Sequence, residues 1–157
     1  SLHLEEFDLS ELTEMVAGEA QGLAESKAVT LTAEIEPGIL VKADQTLMMR
    51  IWLNLLTNAV KYGRQQGQIW LTLKSDGKNA VGTVRDDGIG ISAAELPKIW
   101  KRFYRVNTAR SSGDDSGTGL GLAMVKWMVE SHGGTVSAVS TLGAGSTFSF
   151  TIPLRPS

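Results

Sequence analysis

The segment from Asp44 to Val84 constrains the fold most tightly. After Asp44, Leu47, Ile51 and Leu55 form one apolar row at helical spacing, and Met48, Trp52, Leu56 and Val60 form a second. Arg50, Asn54, Asn58 and Lys61 follow one another at four, four and three residues, so they share the remaining face. Gly63 stops this helix. Ile69, Leu71 and Leu73 then alternate with polar residues, Asp76-Gly77 supplies a turn, and Val81 and Val84 lie on the returning strand. A helix with a broad apolar side, followed at once by a hairpin, must pack that side on a sheet.

The flanking segments repeat the theme. Asp8 with Glu11 three residues on predicts a capped helix running to about Ser26, carrying Leu9, Leu12, Val16 and Leu23 inward. Val29, Leu31, Ala33 and Ile35 alternate as a strand, Pro37-Gly38 breaks it, and Ile39-Leu40-Val41 offers a short partner. A short helix is expected over about Glu95 to Phe103, and Asn107 to Ser116 reads as a polar loop. A third long helix starts near Thr118 and ends at His132-Gly133-Gly134; it is apolar on most sides, which predicts a well-buried element. Val136 to Val139 and Thr147 to Ile152 make a last hairpin across Gly143 and Gly145. The sum is a single α+β domain, helices on one face of a sheet.

Composition excludes several classes. With 42% hydrophobic residues, 20% charged residues and a formal net charge of −2, the chain has no electrostatic case for nucleic acid or an acidic membrane surface as main partner. It has no cysteine, hence no disulfide framework or thiolate metal site. No apolar stretch is long enough to span a bilayer, and no signal peptide is visible. The chain begins Ser1-Leu2-His3 without a start methionine, so it reads as a fragment.

Three places carry chemistry, each with two readings. Gly117-Thr118-Gly119-Leu120-Gly121-Leu122 opens a helix. A P-loop needs Lys and then Ser or Thr after its last glycine, but Leu122 and Ala123 stand there. A dinucleotide fingerprint counted from Gly117 needs glycine at 122. What remains is either a flexible joint or another kind of anion site, built from unpaired N–H groups at a helix start. The row Arg50, Asn54, Asn58, Lys61 is either a solvated face or a set holding an oxygen ligand for Mg2+, with Lys61 and Tyr62 reaching phosphates. Asp86-Asp87-Gly88-Ile89-Gly90 is either an Asx-turn or a carboxylate fixed at a strand end to accept from a base amine, with Gly88 and Gly90 clearing room for a flat ring.

Taken in order, these motifs closely resemble the ATP-binding catalytic domain of sensor histidine kinases, within the superfamily of gyrase, heat-shock chaperone, histidine kinase and mismatch-repair ATPases. Asn54 to Tyr62 resembles the family's N box and Asp86 to Gly90 its first glycine box. Ile99-Trp100-Lys101-Arg102-Phe103-Tyr104-Arg105 resembles the F box, with Trp100 where Phe is usual. Gly117 to Leu122 resembles the second glycine box, and Gly143-Ala144-Gly145-Ser146-Thr147-Phe148 the last.

The resemblance implies a two-layer α/β sandwich of Bergerat type: a mixed, mostly antiparallel sheet of about five strands, three helices on one face, and a flexible ATP lid over about residues 91–116. Residues 1–7 would be a linker remnant from an upstream dimerisation domain, and 8–157 the catalytic domain. ATP and Mg2+ would be the cofactors. Asp86 would hold the adenine amino group, supported by Thr147; Asn58 would be the Mg2+ ligand, and Asn54 would line metal and phosphates. Lys61 and Tyr62 would reach phosphates or ribose, and Arg105 the γ-phosphate. Gly117, Gly119, Leu120 and Gly121 would offer backbone donors, with Thr118, Leu122, Gly88, Gly90 and Ile91 completing the nucleotide contacts. Asp87 is expected to point to solvent.

The implied reaction is γ-phosphoryl transfer to a histidine on a separate dimerisation domain, with a response regulator downstream. The alternative is a nucleotide-binding regulatory module of the same superfamily without histidine phosphorylation. Asn54 stands where the hydrolysing relatives carry Glu, and an amide is no general base. Neither His3 nor His132 has the acceptor pattern. The fragment would be monomeric, without direct insertion into a membrane, and cytoplasmic; its parent would be a homodimer attached to the inner membrane.

Overall fold

The computed structural model describes residues 1–104 and 121–156. β1 (Glu5–Asp8) leads directly into α1 (Leu9–Ser26), where the Asp8 carboxylate accepts the Glu11 N–H at 3.2 Å. β2 (Thr30–Ile35) and β3 (Leu40–Ala43) come next, then α2 (Gln45–Tyr62), whose first turn is capped by Asp44 accepting from the Leu47 N–H at 3.1 Å. β4 (Gln68–Ser75) and β5 (Asn79–Asp86) form the expected hairpin, and α3 (Gly121–Ser131) precedes the hairpin of β6 (Val136–Thr141) and β7 (Gly145–Pro153).

The main sheet has the order β2-β4-β5-β7-β6, parallel between β2 and β4 and antiparallel elsewhere. The architecture is an α+β sandwich, as expected. Ile69, Leu71 and Leu73 on β4, Val84 on β5 and Phe148, Phe150 and Ile152 on β7 turn one face of the sheet inward. The core joins that face to Leu12 and Val16 of α1, Trp52 and Leu55 of α2, and Val129 of α3. Gly82 makes room at its centre: a Cβ there would collide with the Phe150 ring and lie 2.8 Å from Trp52, whose ring meets Phe150 edge-on at 4.9 Å.

Three expectations change. β3 pairs with β1 rather than with β2. The helix expected over Glu95 to Phe103 is a single 3-10 turn, Leu96–Lys98. Phe103 at φ 64 ends any continuation. α3 buries one side only, through Val125, Met128 and Val129, leaving Met124 39% and Trp127 53% exposed. Its first expected residues, 118–120, lie outside the described ones.

One buried polar pair locks α1 to α2. Thr13 is fully buried; its hydroxyl donates to the Leu9 carbonyl at 2.7 Å and accepts from the Trp52 indole N–H at 2.9 Å. Thr13→Val keeps the shape but strands that N–H. We expect a loss of about 1–3 kcal/mol of unfolding free energy in a denaturant titration, with Thr13→Ser close to wild type.

Candidate functional site

The site forms where β5 ends. Alternation along β5 sends Val84 and Asp86 toward the helices and Arg85 to the opposite face, where its guanidinium stacks over Trp70 at 4.6 Å. Asp86 is 3% exposed, and its Oδ1 accepts the Gly88 N–H at 2.9 Å. Burial raises its pKa from 3.8 to about 6; the Gly88 N–H opposes the shift, the neighbouring Asp87 charge adds to it, and the Ser146 N–H opposes it. A carboxylate that accepts only these two backbone N–H groups retains lone pairs for a further donor.

The turn after Asp86 is steric in origin. A Cβ on Gly88 would strike the Tyr62 carbonyl, and Gly90, at φ 72, has no room for one against the Thr141 carbonyl. Asp87 does not point freely to solvent, contrary to expectation. Its Oδ1 accepts the Gln68 N–H at 2.9 Å and so fastens the turn to the start of β4. Gly67 permits this, because a Cβ there would sit 2.5 Å from that oxygen.

Asn58, Tyr62, Asp86, Gly90, Ile91 and Leu122 come together around a narrow cleft, with Ile89, Ser146 and Phe148 completing its wall. Trp100 packs edge-on against Phe148 at 6.0 Å, supporting that wall from behind. Gly88 lies on the outer side of the Ile89 wall, facing a shallower groove with Arg64, Gln65 and Gly143. Asn54 sits one turn earlier than Asn58 on α2, its amide 3.5 Å from the Gly121 carbonyl at the start of α3. The Lys61 ammonium lies 5.2 Å from the centre of the Tyr62 ring. Arg105, Gly117, Thr118, Gly119 and Leu120 lie outside the described residues, as does most of the expected lid.

Thr147 requires a correction. It pairs with Arg85, while Ser146 pairs with Asp86, so Thr147 faces away from the cleft and Ser146 faces into it. The Ser140 hydroxyl donates to the Gly145 carbonyl at 2.9 Å and accepts the Ile91 N–H at 2.7 Å. Its single proton being used, the Ser146 hydroxyl 2.8 Å away must donate to it, leaving the lone pairs of Ser146 for a donor in the cleft. The signal was present in the sequence: Ile152, Phe150 and Phe148 fix the inward parity of β7, and 146 shares it.

The chemistry available is an apolar slot with acceptors at its closed end and an amide oxygen on its wall. Ile89, Ile91, Leu122 and Phe148 suit a flat ring, while Asp86 and Ser146 both accept. Among the described residues no cluster of three His, Asp or Glu could hold a metal by itself. The Asn58 amide oxygen suits the hard oxygen donor set of Mg2+, on condition that a ligand supplies other oxygens. No helix of the described residues is long and apolar enough to cross a membrane.

Residues 43–156 match the family described as histidine kinase-, DNA gyrase B-, and HSP90-like ATPase. The sensor histidine kinase TmoS of Ectopseudomonas mendocina is 38% identical over 149 residues, which cover 94% of this chain but 15% of TmoS. The solved mycobacterial sensor histidine kinase MprB superposes with a TM-score of 0.84 at 28% identity, covering 98% of this chain and 100% of that one. Full-length ShkA, solved in complex with AMPPNP, gives a TM-score of 0.85 at 28% identity and covers 100% of this chain and 32% of ShkA.

Proposed function

Because the chain belongs to the histidine kinase-, DNA gyrase B-, and HSP90-like ATPase family, we propose that it is the Mg-ATP-binding catalytic domain of a sensor histidine kinase. The observation that carries this reading is the buried Asp86 carboxylate at the closed end of an apolar cleft, with Asn58 on the same wall. The N6 amine of adenine donates to Asp86 and Ser146, and the ring lies among Ile89, Ile91, Leu122 and Phe148. The AMPPNP complex of the similar ShkA supports a nucleotide in this cleft.

The phosphates then run toward α2 and the start of α3. Asn58 would hold Mg2+, which when bound offsets charge on the β- and γ-phosphate oxygens. Asn54, Lys61 and Tyr62 flank the phosphate path, and Arg105, Gly117, Thr118, Gly119 and Leu120 would close over it. Catalysis is positioning and charge neutralisation: the γ-phosphoryl leaves ADP for a histidine nitrogen supplied by a dimerisation domain. A response regulator would take it onward, and the parent would be a membrane-attached homodimer.

Asn54 sets the choice between transfer and hydrolysis. Its amide cannot remove a proton from water, so attack by water is not promoted. Asn54→Glu is expected to raise ATP hydrolysis at least tenfold from a low baseline in a phosphate-release assay; fast hydrolysis by the unaltered chain would contradict this. The function itself is tested by adding the cognate dimerisation domain in trans with γ-labelled ATP. Acid-labile label on histidine is expected. ATP binding with no label on histidine would favour a regulatory module instead.

A further inference from the structure

His132 ends α3 with both ring nitrogens engaged. Nδ1 is 2.7 Å from the Met128 carbonyl oxygen, and Nε2 is 3.0 Å from the backbone nitrogen of Asp44. A carbonyl only accepts and a backbone amide only donates, so the two partners fix one protonation state. The proton sits on Nδ1 and the lone pair on Nε2. This contact spans 88 residues of sequence and joins the last turn of α3 to the residue that caps α2.

A second polar contact joins the same two helices, Asn54 to the Gly121 carbonyl at 3.5 Å. Ten residues of α2 separate Asp44 from Asn54, and eleven of α3 separate Gly121 from His132, about 15–17 Å in each case. The helices therefore run antiparallel and are tied at matching heights. At the second tie, α2 carries Asn54 toward the phosphates and α3 begins. The Asp44 end is itself crowded. Its Oδ1 caps Leu47, and its Oδ2 accepts the His3 N–H at 3.0 Å from the N-terminal segment.

We propose that His132 is a proton-sensitive positioning residue. In its neutral Nδ1–H form it ties the C-terminal end of α3 to the cap of α2, and protonation at Nε2 releases that tie. A second N–H on the ring would face the Asp44 N–H, donor against donor. The Asp44 carboxylate is the charged group facing the ring from α2, and the His3 N–H is foremost in holding its pKa below the ordinary value. The Asp44 carboxylate attracts the imidazolium, but turning toward it takes Nε2 off the Asp44 N–H and adds a third donor to oxygens that already accept the Leu47 and His3 amides. Around Gly133 and Gly134, β7 presents Pro153 and the Thr151 backbone, neither titratable. Lys42 on β3 and Glu130 on α3 are exposed nearby in sequence.

The tie is read without nucleotide, so its failure is distinct from failure of the ATP reading on which the functional half rests. Ring nitrogen spectra of the 15N-labelled chain should show His132 as the Nδ1–H tautomer, the minority form of free imidazole. Amide exchange at Asp44 should accelerate at least tenfold, beyond the ordinary effect of pH, as the ring protonates. An Nε2–H tautomer, or Asp44 protection unchanged through the titration, overturns the proposal. For the positioning role, ATP affinity is compared between the unaltered chain and His132→Gln, which offers a non-titrating acceptor. Asp86 titrates in both, so their ratio isolates His132. The ratio should favour His132→Gln severalfold more at pH 5.5 than at pH 8; a constant ratio refutes the positioning role.

Discussion

Replacing Asp86 by Asn is expected to weaken ATP binding roughly ten- to hundredfold, the loss of about 1.5–3 kcal/mol that results when a charged acceptor becomes a neutral one. The same substitution should make the nucleotide-free protein more stable near neutral pH. The reason is the sign of the shift at Asp86, whose pKa rises from 3.8 to about 6 on folding, chiefly through burial. Between those two values the folded chain holds a proton that the unfolded chain has shed, so stability rises as pH falls through about 6 and is lost as pH rises through it. Affinity should move the other way, declining below about pH 6 as the acceptor is neutralised. Asp86→Asn should lose this component of both slopes. Denaturant titrations and calorimetry across pH 5 to 8 read the two trends. Parallel changes in stability and affinity, or an affinity indifferent to the substitution, would remove Asp86 from the role assigned to it.

The second large effect belongs to Asn58. Asn58→Ala removes the amide oxygen on the cleft wall but none of the groups at its closed end. Phosphoryl transfer to the dimerisation domain should fall on the order of a hundredfold or more, the usual scale for removing one group that meets developing charge. Binding of adenosine, which has no phosphates, should change by no more than about threefold. The separation matters more than either number. If transfer and adenosine binding fall together, Asn58 shapes the cleft rather than serving the metal. If transfer is unchanged, the metal role is wrong.

Much of this arrangement was legible in the sequence because it is local. Asp8 and Asp44 announce their helices by residue type and by the apolar periodicity that begins just after each, and both cap as expected. Asp76-Gly77 between two alternating segments marks the β4–β5 hairpin. The polar row of α2 arises from the helical period alone, and two of its residues flank or line the cleft.

The features hidden from the sequence depend on choices between remote partners. β3 is as compatible with β2 as with β1, and nothing local distinguishes them: in the folded chain β3 pairs with β1 while β2 joins the main sheet through β4. α3 is apolar on most sides, yet only the side against α2 and the sheet is covered, because no further layer among the described residues reaches Met124 and Trp127. Asp87 obeys the same rule. Its partner, the Gln68 N–H, is nineteen residues away and available only once β4 and β5 are paired. The exchange of Thr147 for Ser146 differs in kind, since strand parity already contained it.

The most direct test of the account is calorimetric titration of ATP into this chain with and without Mg2+, alongside GTP. The account predicts one site for ATP, tightened by Mg2+, and at least tenfold weaker binding of GTP, whose base offers a carbonyl where Asp86 and Ser146 require a donor. No ATP binding at millimolar nucleotide, or equal affinity for the two bases, would contradict it.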